Sequence, residues 1–206
     1  MRFATGNQTV VWVLAVQWVR LRRLMRGVPV AVASLTAMLV LAFDAQATGS
    51  PTDYLAPPSA CAGATRVGAN TATQRSALVC LVNWARRRAG LAPVAHHRAL
   101  GQAAETKAAS IVSCGDFSHE PCGTSATAST VASGYRFAYW AENIYWGSQR
   151  LGAPRDAMLA WLLSPPHREH VFARSVRDAG IGRARASTFA GARNVTVWVL
   201  EVGRRL

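Results

Sequence analysis

The spacing of apolar positions changes period along the chain, and each change marks an element. After Thr73, Leu78, Leu81, Val82 and Ala85 recur at i, i+3, i+4 and i+7, which is one buried helical face with Gly90 as its stop. Arg86, Arg87 and Arg88 fall in the last turn, where cations complement the negative end of the dipole, and read as a solvated face rather than a nucleic-acid patch. Leu91-Ala92-Pro93-Val94 reads as an extended link. A second helix is expected over His97 to Ser113, with Leu100, Ala104, Ala108 and Ile111 on one face, Gly115 at its end, and enough alanine for close packing. Residues 123–134, rich in Ser, Thr, Ala and Gly, read as a loop with one helical turn. A further helix begins near Pro154, presents Ala157, Met158, Trp161 and Leu162 at core spacing, and stops before Pro165-Pro166.

The period then drops to two, over Ala179 to Ala186 and again over Val195 to Val202, with Gly191 in the connecting loop. Val195, Val197 and Val199 face one way; Thr196, Trp198, Leu200 and Val202 face the other. An antiparallel hairpin with two apolar faces needs helices on both sides. The class is therefore α+β. There is no internal repeat, coiled-coil heptad or long low-complexity tract.

The first 47 residues follow different rules. Met25-Arg26 precedes an apolar run from Val28 to Phe43 that ends at Ala45-Gln46-Ala47, the layout of an export signal with a small-residue cleavage site. The run is shorter than the roughly 20 residues a spanning helix needs. An earlier apolar stretch, Val10 to Val19, precedes Arg20, Arg22, Arg23 and Arg26; translation starting at Met25 accounts for it, and a retained anchor is the rival reading. The expected organisation is a signal peptide over 1–47, a flexible lead-in with Pro51, Pro57 and Pro58 over 48–72, and one domain over 73–206.

Export decides how the four cysteines are read. Cys61, Cys80, Cys114 and Cys122 all lie beyond the cleavage point, and an even count in an oxidising compartment suggests two disulfides. Gly115, Pro121 and Gly123 make a compact loop for Cys114–Cys122, which leaves Cys61–Cys80; no C-x-x-C spacing supports a zinc site. The chain has 23 basic and 10 acidic residues, and the signal removes five arginines and Asp44, leaving a net charge of +9. That favours anionic partners. Lys107 is the one lysine, so the arginine bias also fits codon composition.

Three segments mix histidine or glutamate with turn-forming and aromatic neighbours: Phe117-Ser118-His119, Ala141-Glu142-Asn143-Ile144 and Ser164-Pro165-Pro166-His167-Arg168. Each reads as a junction between elements. Two imidazoles and a carboxylate suit a divalent ion such as zinc, with water in the fourth position, and equally suit acid–base chemistry. Gaps of 23 and 25 residues match no compact metal motif, and Glu142 is also a candidate helix cap. His170, three residues after His167 and on a neighbouring helical position, reads as an exposed bystander, with a chelating pair as the alternative.

The order of the blocks carries more information. Leu-Val-Asn-Trp-Ala-Arg-x-x-x-Gly-Leu-x-Pro-Val at 81–94 is followed by Phe-Ser-His at 117–119, Ser-Gly-Tyr at 133–135 and Ala-Glu-Asn-Ile at 141–144. Then come Ala-x-x-x-Trp-x-x-Ser-Pro-x-His-Arg at 157–168, Ala-Gly-Ile-Gly at 179–182 and Trp198. Over about residues 74–203 this resembles the bacterial branch of the CAP superfamily (SCP-like extracellular proteins), relatives of cysteine-rich secretory, antigen-5 and pathogenesis-related proteins. The resemblance implies an α-β-α sandwich, a small antiparallel sheet between helical layers. It also implies a cleft where His119, Glu142 and His167 hold a divalent cation, zinc or calcium. A second glutamate usual after the helix tryptophan is replaced here by Leu162-Leu163-Ser164, and Glu169 is the nearest substitute.

Three functions follow. The favoured one is a secreted, non-catalytic binding module with a divalent cation and a lipid or anionic cell-envelope ligand. It rests on the lack of a nucleophile: Ser118 adjoins His119 and the cysteines are bridged. The alternative is a metal- or Glu/His-dependent hydrolase in which Glu142 or His119 activates water. The third is a basic surface protein acting through Arg174, Arg177, Arg183 and Arg185; export argues against nucleic acid as its partner.

Overall fold

The structure is a computed structural model that describes residues 49–206; the export signal expected over 1–47 lies outside them. Helix α1 (Thr71–Arg88) is followed by β1 (Ala95–His96), α2 (Arg98–Cys114) and the short α3 (Ala128–Ala132). Strand β2 (Phe137–Ser148), helices α4 (Pro154–Leu163) and α5 (Pro165–Phe172), and the hairpin β3 (Asp178–Phe189) and β4 (Ala192–Arg205) complete the fold. Among the described residues no helix is long and apolar enough to cross a membrane.

The four strands lie in the order β1-β3-β4-β2. The hairpin turns through Ala190 and Gly191, both at positive φ, the two-residue geometry whose twist matches that of the flanking strands. Strand β4 pairs antiparallel with β3 on one side and β2 on the other, placing Glu142 opposite Glu201. The short edge strand β1 runs parallel to β3, so the sheet is mixed rather than purely antiparallel.

Both faces of the hairpin are covered, as its apolar alternation requires. Trp198, Leu200 and Val202 pack with the apolar faces of α1 and α4, including Leu78, Leu81, Trp161 and Leu162. Val195, Val197 and Val199 pack with Ala104, Ala108 and Ile111 of α2. Helix α2 approaches so closely that a Cβ on Gly180 would lie 2.1 Å from the carbonyl carbon of Leu100, and one on Gly182 1.9 Å from the oxygen of Ala104. Backbone cannot yield as a side-chain tip does, so these two strand glycines set the helix–sheet distance.

Four features depart from the sequence reading. The stretch expected as a flexible lead-in is packed: Tyr54, Ala56, Cys61 and Ala64 are buried in the α1/α4 core, and Tyr54 meets Phe172 edge-on at 5.1 Å. The Cys61–Cys80 bridge fastens it to α1, and Cys114–Cys122 also forms, so both expected pairings are present. Pro165-Pro166 opens a helix as well as ending one, because proline suits the first turn, whose N–H groups lack helical partners. Ala141-Glu142-Asn143-Ile144 is the middle of strand β2, not a junction. Finally, Arg86 is fully buried while Arg87 and Arg88 are exposed. Its Nε donates to Ala92 O at 2.8 Å, and its Nη1 donates to Val171 O at 2.7 Å and Ala173 O at 3.0 Å.

Candidate functional site

Helix α2 ends at Gly115, which takes the left-handed conformation that closes a helix without strain. The chain then loops back through the Cys114–Cys122 bridge, and His119 sits within that closed loop. Strand β2 runs beneath. Its alternating side chains divide the site: Glu142 is directed to the α2 side and Asn143 to the α5 side.

On the α2 side, His119 Nδ1 and Glu142 Oε1 are 2.7 Å apart. The imidazole is about half exposed, whereas the carboxylate is buried. Across the carboxylate lies the ammonium of Lys107, 3.8 Å from Oε2, itself buried under α2. Lys107 Nζ donates to the carbonyls of His119 and Ala126, the latter at 2.9 Å. Glu201, facing Glu142 from β4, is fully buried; its Oε2 accepts from Thr130 Oγ1 at 2.8 Å and from Trp140 Nε1 at 3.2 Å. Burial pushes the Glu201 carboxyl up to about 7, and the charge of Glu142 adds to the rise. The two hydrogen bonds and Lys107 oppose it.

On the α5 side, Asn143 Nδ2 donates to His167 O at 2.9 Å and Asn143 Oδ1 meets His170 Nδ1 at 2.8 Å. His170 is thus built into the site and is not a bystander. His167 Nδ1 lies 2.7 Å from Ser164 Oγ. Burial holds both imidazoles below their ordinary range. The neighbouring His170 and His119 add to this at His167; at His170, His119 adds to it, and Glu169 and the Glu142 backbone oppose it. Neutral rings follow at physiological pH.

Between β2 and α4 runs a cleft of about 190 Å³, lined by Phe117, Ile144, Trp146 and Trp161, with Ser164 and His167 at one end. Trp161 is locked as one wall by donating its indole N–H to Ile144 O at 3.1 Å. The cleft is apolar with a polar end, the usual arrangement for a ligand with a head and a tail.

His119, Glu142 and His167 therefore come into one neighbourhood from three separated segments, but with divided loyalties. His119 pairs with the carboxylate, His167 with a hydroxyl, and among the described residues no three histidine, cysteine, aspartate or glutamate side chains are grouped to hold a metal ion. Glu142 already faces an imidazole and an ammonium. The arrangement does not fit zinc or calcium. Of the four arginines considered as a basic patch, Arg177 is bound to the carbonyls of Arg174 and Val176, and Arg183 to Ala69 O and Gln74.

Lys107 and Glu201 stand outside the segments that the sequence singles out, Asn143 lies inside one of them, and His170 reads there as a bystander. Two of them carry a legible signal: Lys107 adjoins Ala104, Ala108 and Ile111 on the apolar face of α2, and Glu201 interrupts the apolar run of β4. Charged residues are almost never fully buried unless paired.

Residues 79–202 match the profile of the cysteine-rich secretory protein family, CAP. Among solved structures, an extracellular SCP-domain protein of Bacillus anthracis is similar at 16% identity and a TM-score of 0.53, over 66% of this chain and 44% of that one. An outer surface protein of Borrelia burgdorferi is similar at 21% identity and a TM-score of 0.52, over 63% of this chain and 90% of that one. The chain thus spans less than half of the Bacillus protein's length. These likenesses bear on the fold alone. No curated protein sequence matches the chain.

Proposed function

Since the chain belongs to the cysteine-rich secretory protein (CAP) family, we propose that it is an extracellular, non-catalytic binding module that takes a lipid-like ligand. The apolar cleft holds the tail, and Ser164 and His167 meet the head. The observation that carries this reading is the cleft itself, with aromatic and aliphatic walls leading to two polar side chains. At about 190 Å³ it suits an acyl segment rather than a drug-sized molecule. Two disulfides suit an oxidising compartment, and the positive charge of the mature chain suits an anionic envelope.

Calorimetric titration with lauric acid tests the reading. Saturable binding is expected, weakened about tenfold in Phe117→Ala, since Phe117 is the exposed lip of the cleft. Absence of binding, or binding indifferent to Phe117, contradicts it.

A second reading, a hydrolase, is favoured by two contacts: Glu142 on His119 Nδ1, the relation that orients a catalytic base, and Ser164 Oγ on His167 Nδ1. The carboxylate, however, backs one histidine and the hydroxyl engages the other, so the parts do not form one relay. Saturable turnover of an ester or peptide that disappears in His119→Ala or Ser164→Ala would establish the hydrolase.

A further inference from the structure

The chain contains 23 basic residues, and the only lysine among them is Lys107. It is also 2% exposed, on the face of α2 turned to the sheet. Its ammonium meets three oxygens: the His119 and Ala126 carbonyls and Glu142 Oε2. A compact ammonium on a slender stem can donate to both carbonyls while standing 3.8 Å from the carboxylate, a placement that a planar guanidinium fork does not match. On the far side of Glu142 stands a second carboxyl, Glu201, in direct cross-strand register. Two buried carboxyl groups side by side call for a positive charge, and an atom of each, Glu142 Oε2 and Glu201 Oε1, has no hydrogen-bond donor.

We propose that Lys107 is the resident cation of this site, a tethered ammonium that takes the place a divalent ion would otherwise occupy beside Glu142. The same side chain is a positioning residue for His119. By donating to the His119 carbonyl it fixes the loop closed by Cys114–Cys122, and so delivers the imidazole to the opposite oxygen of the same carboxylate. One ammonium thus both faces the Glu142 carboxylate and fixes the location of its histidine partner. The inference is independent of what fills the cleft.

Two measurements on the purified protein test it. In calorimetric titration with zinc chloride, the wild type is expected to show no site tighter than about millimolar that depends on Glu142. Lys107→Ala, which vacates the ammonium's position, is expected to gain zinc affinity by at least about tenfold. A micromolar wild-type site abolished by Glu142→Gln would overturn the proposal, as would a folded Lys107→Ala protein with unchanged zinc affinity. Where the single variant fails to fold, the second measurement decides. Lys107→Met lowers the urea midpoint, and adding Glu142→Gln should restore a large part of the loss, because the charge left alone is removed. Losses that simply add would show that Lys107 only fills space.

Discussion

Arg86→Met is expected to destabilise the protein by about 3 kcal/mol, a loss of roughly 5–10 °C in midpoint for a domain of this size. The guanidinium is fully buried, and it has no carboxylate partner among the described residues; its neighbours are three carbonyls. Burial lowers its pKa to about 10, with Arg177 adding to the effect, so the charge is held at a cost. That cost is offset by hydrogen bonds no apolar side chain replaces. Methionine fills the volume but leaves Ala92 O, Val171 O and Ala173 O without donors, each worth about 1–3 kcal/mol when buried. Because Val171 and Ala173 end α5, which carries His167 and His170, the variant should also weaken lauric acid binding. Lysine should recover less than half of the stability, since a single ammonium cannot span both the 91–94 link and α5. Urea denaturation measures the change; a loss below 1 kcal/mol would mean that the clamp is ornamental.

Glu201→Gln should abolish a pH dependence of stability. The folded-state pKa of Glu201 is raised from 4.5 to about 7, so the folded protein holds the proton more tightly than the unfolded chain. Its contribution is then fully present below pH 4.5 and lost as pH rises through 7. Over that window the loss is about 3 kcal/mol. Glutamine keeps an oxygen for Thr130 and Trp140 while carrying no charge. At pH 8 the variant should exceed wild type by about 2 kcal/mol, and at pH 5 the two should agree within about 1 kcal/mol. Parallel stability curves for the two proteins from pH 5 to 8 would refute this.

Much of the fold is legible because periodicity and burial coincide. The α1 and α4 apolar faces and the two-faced β4 read correctly because each is a regular stripe against one core. Strand β2 is not legible this way. It lies at the sheet edge, where Tyr139, Trp140 and Tyr145 are half-buried on both faces, so no alternation survives. Helix α5 has no apolar stripe and is held by Arg86, Asn143 and its prolines. Of the site, the ordered blocks led to His119, Glu142 and His167, and the first two do form a contact. What sequence order does not reveal is which partner each side chain takes. A metal was expected because two imidazoles and a carboxylate were read as free ligands. A lysine twelve residues before His119 changes that chemistry, and no local pattern connects it to Glu142.

The direct test of the site is the ring tautomer of His119, read by long-range proton–nitrogen NMR on protein labelled at histidine. With the Glu142 carboxylate 2.7 Å from Nδ1, the neutral ring should carry its proton on Nδ1, against the preference of free imidazole side chains, and should revert in Glu142→Ala, which leaves no acceptor there. A wild-type His119 protonated on Nε2, with a signal indifferent to that substitution, would mean that the loop and the strand do not meet.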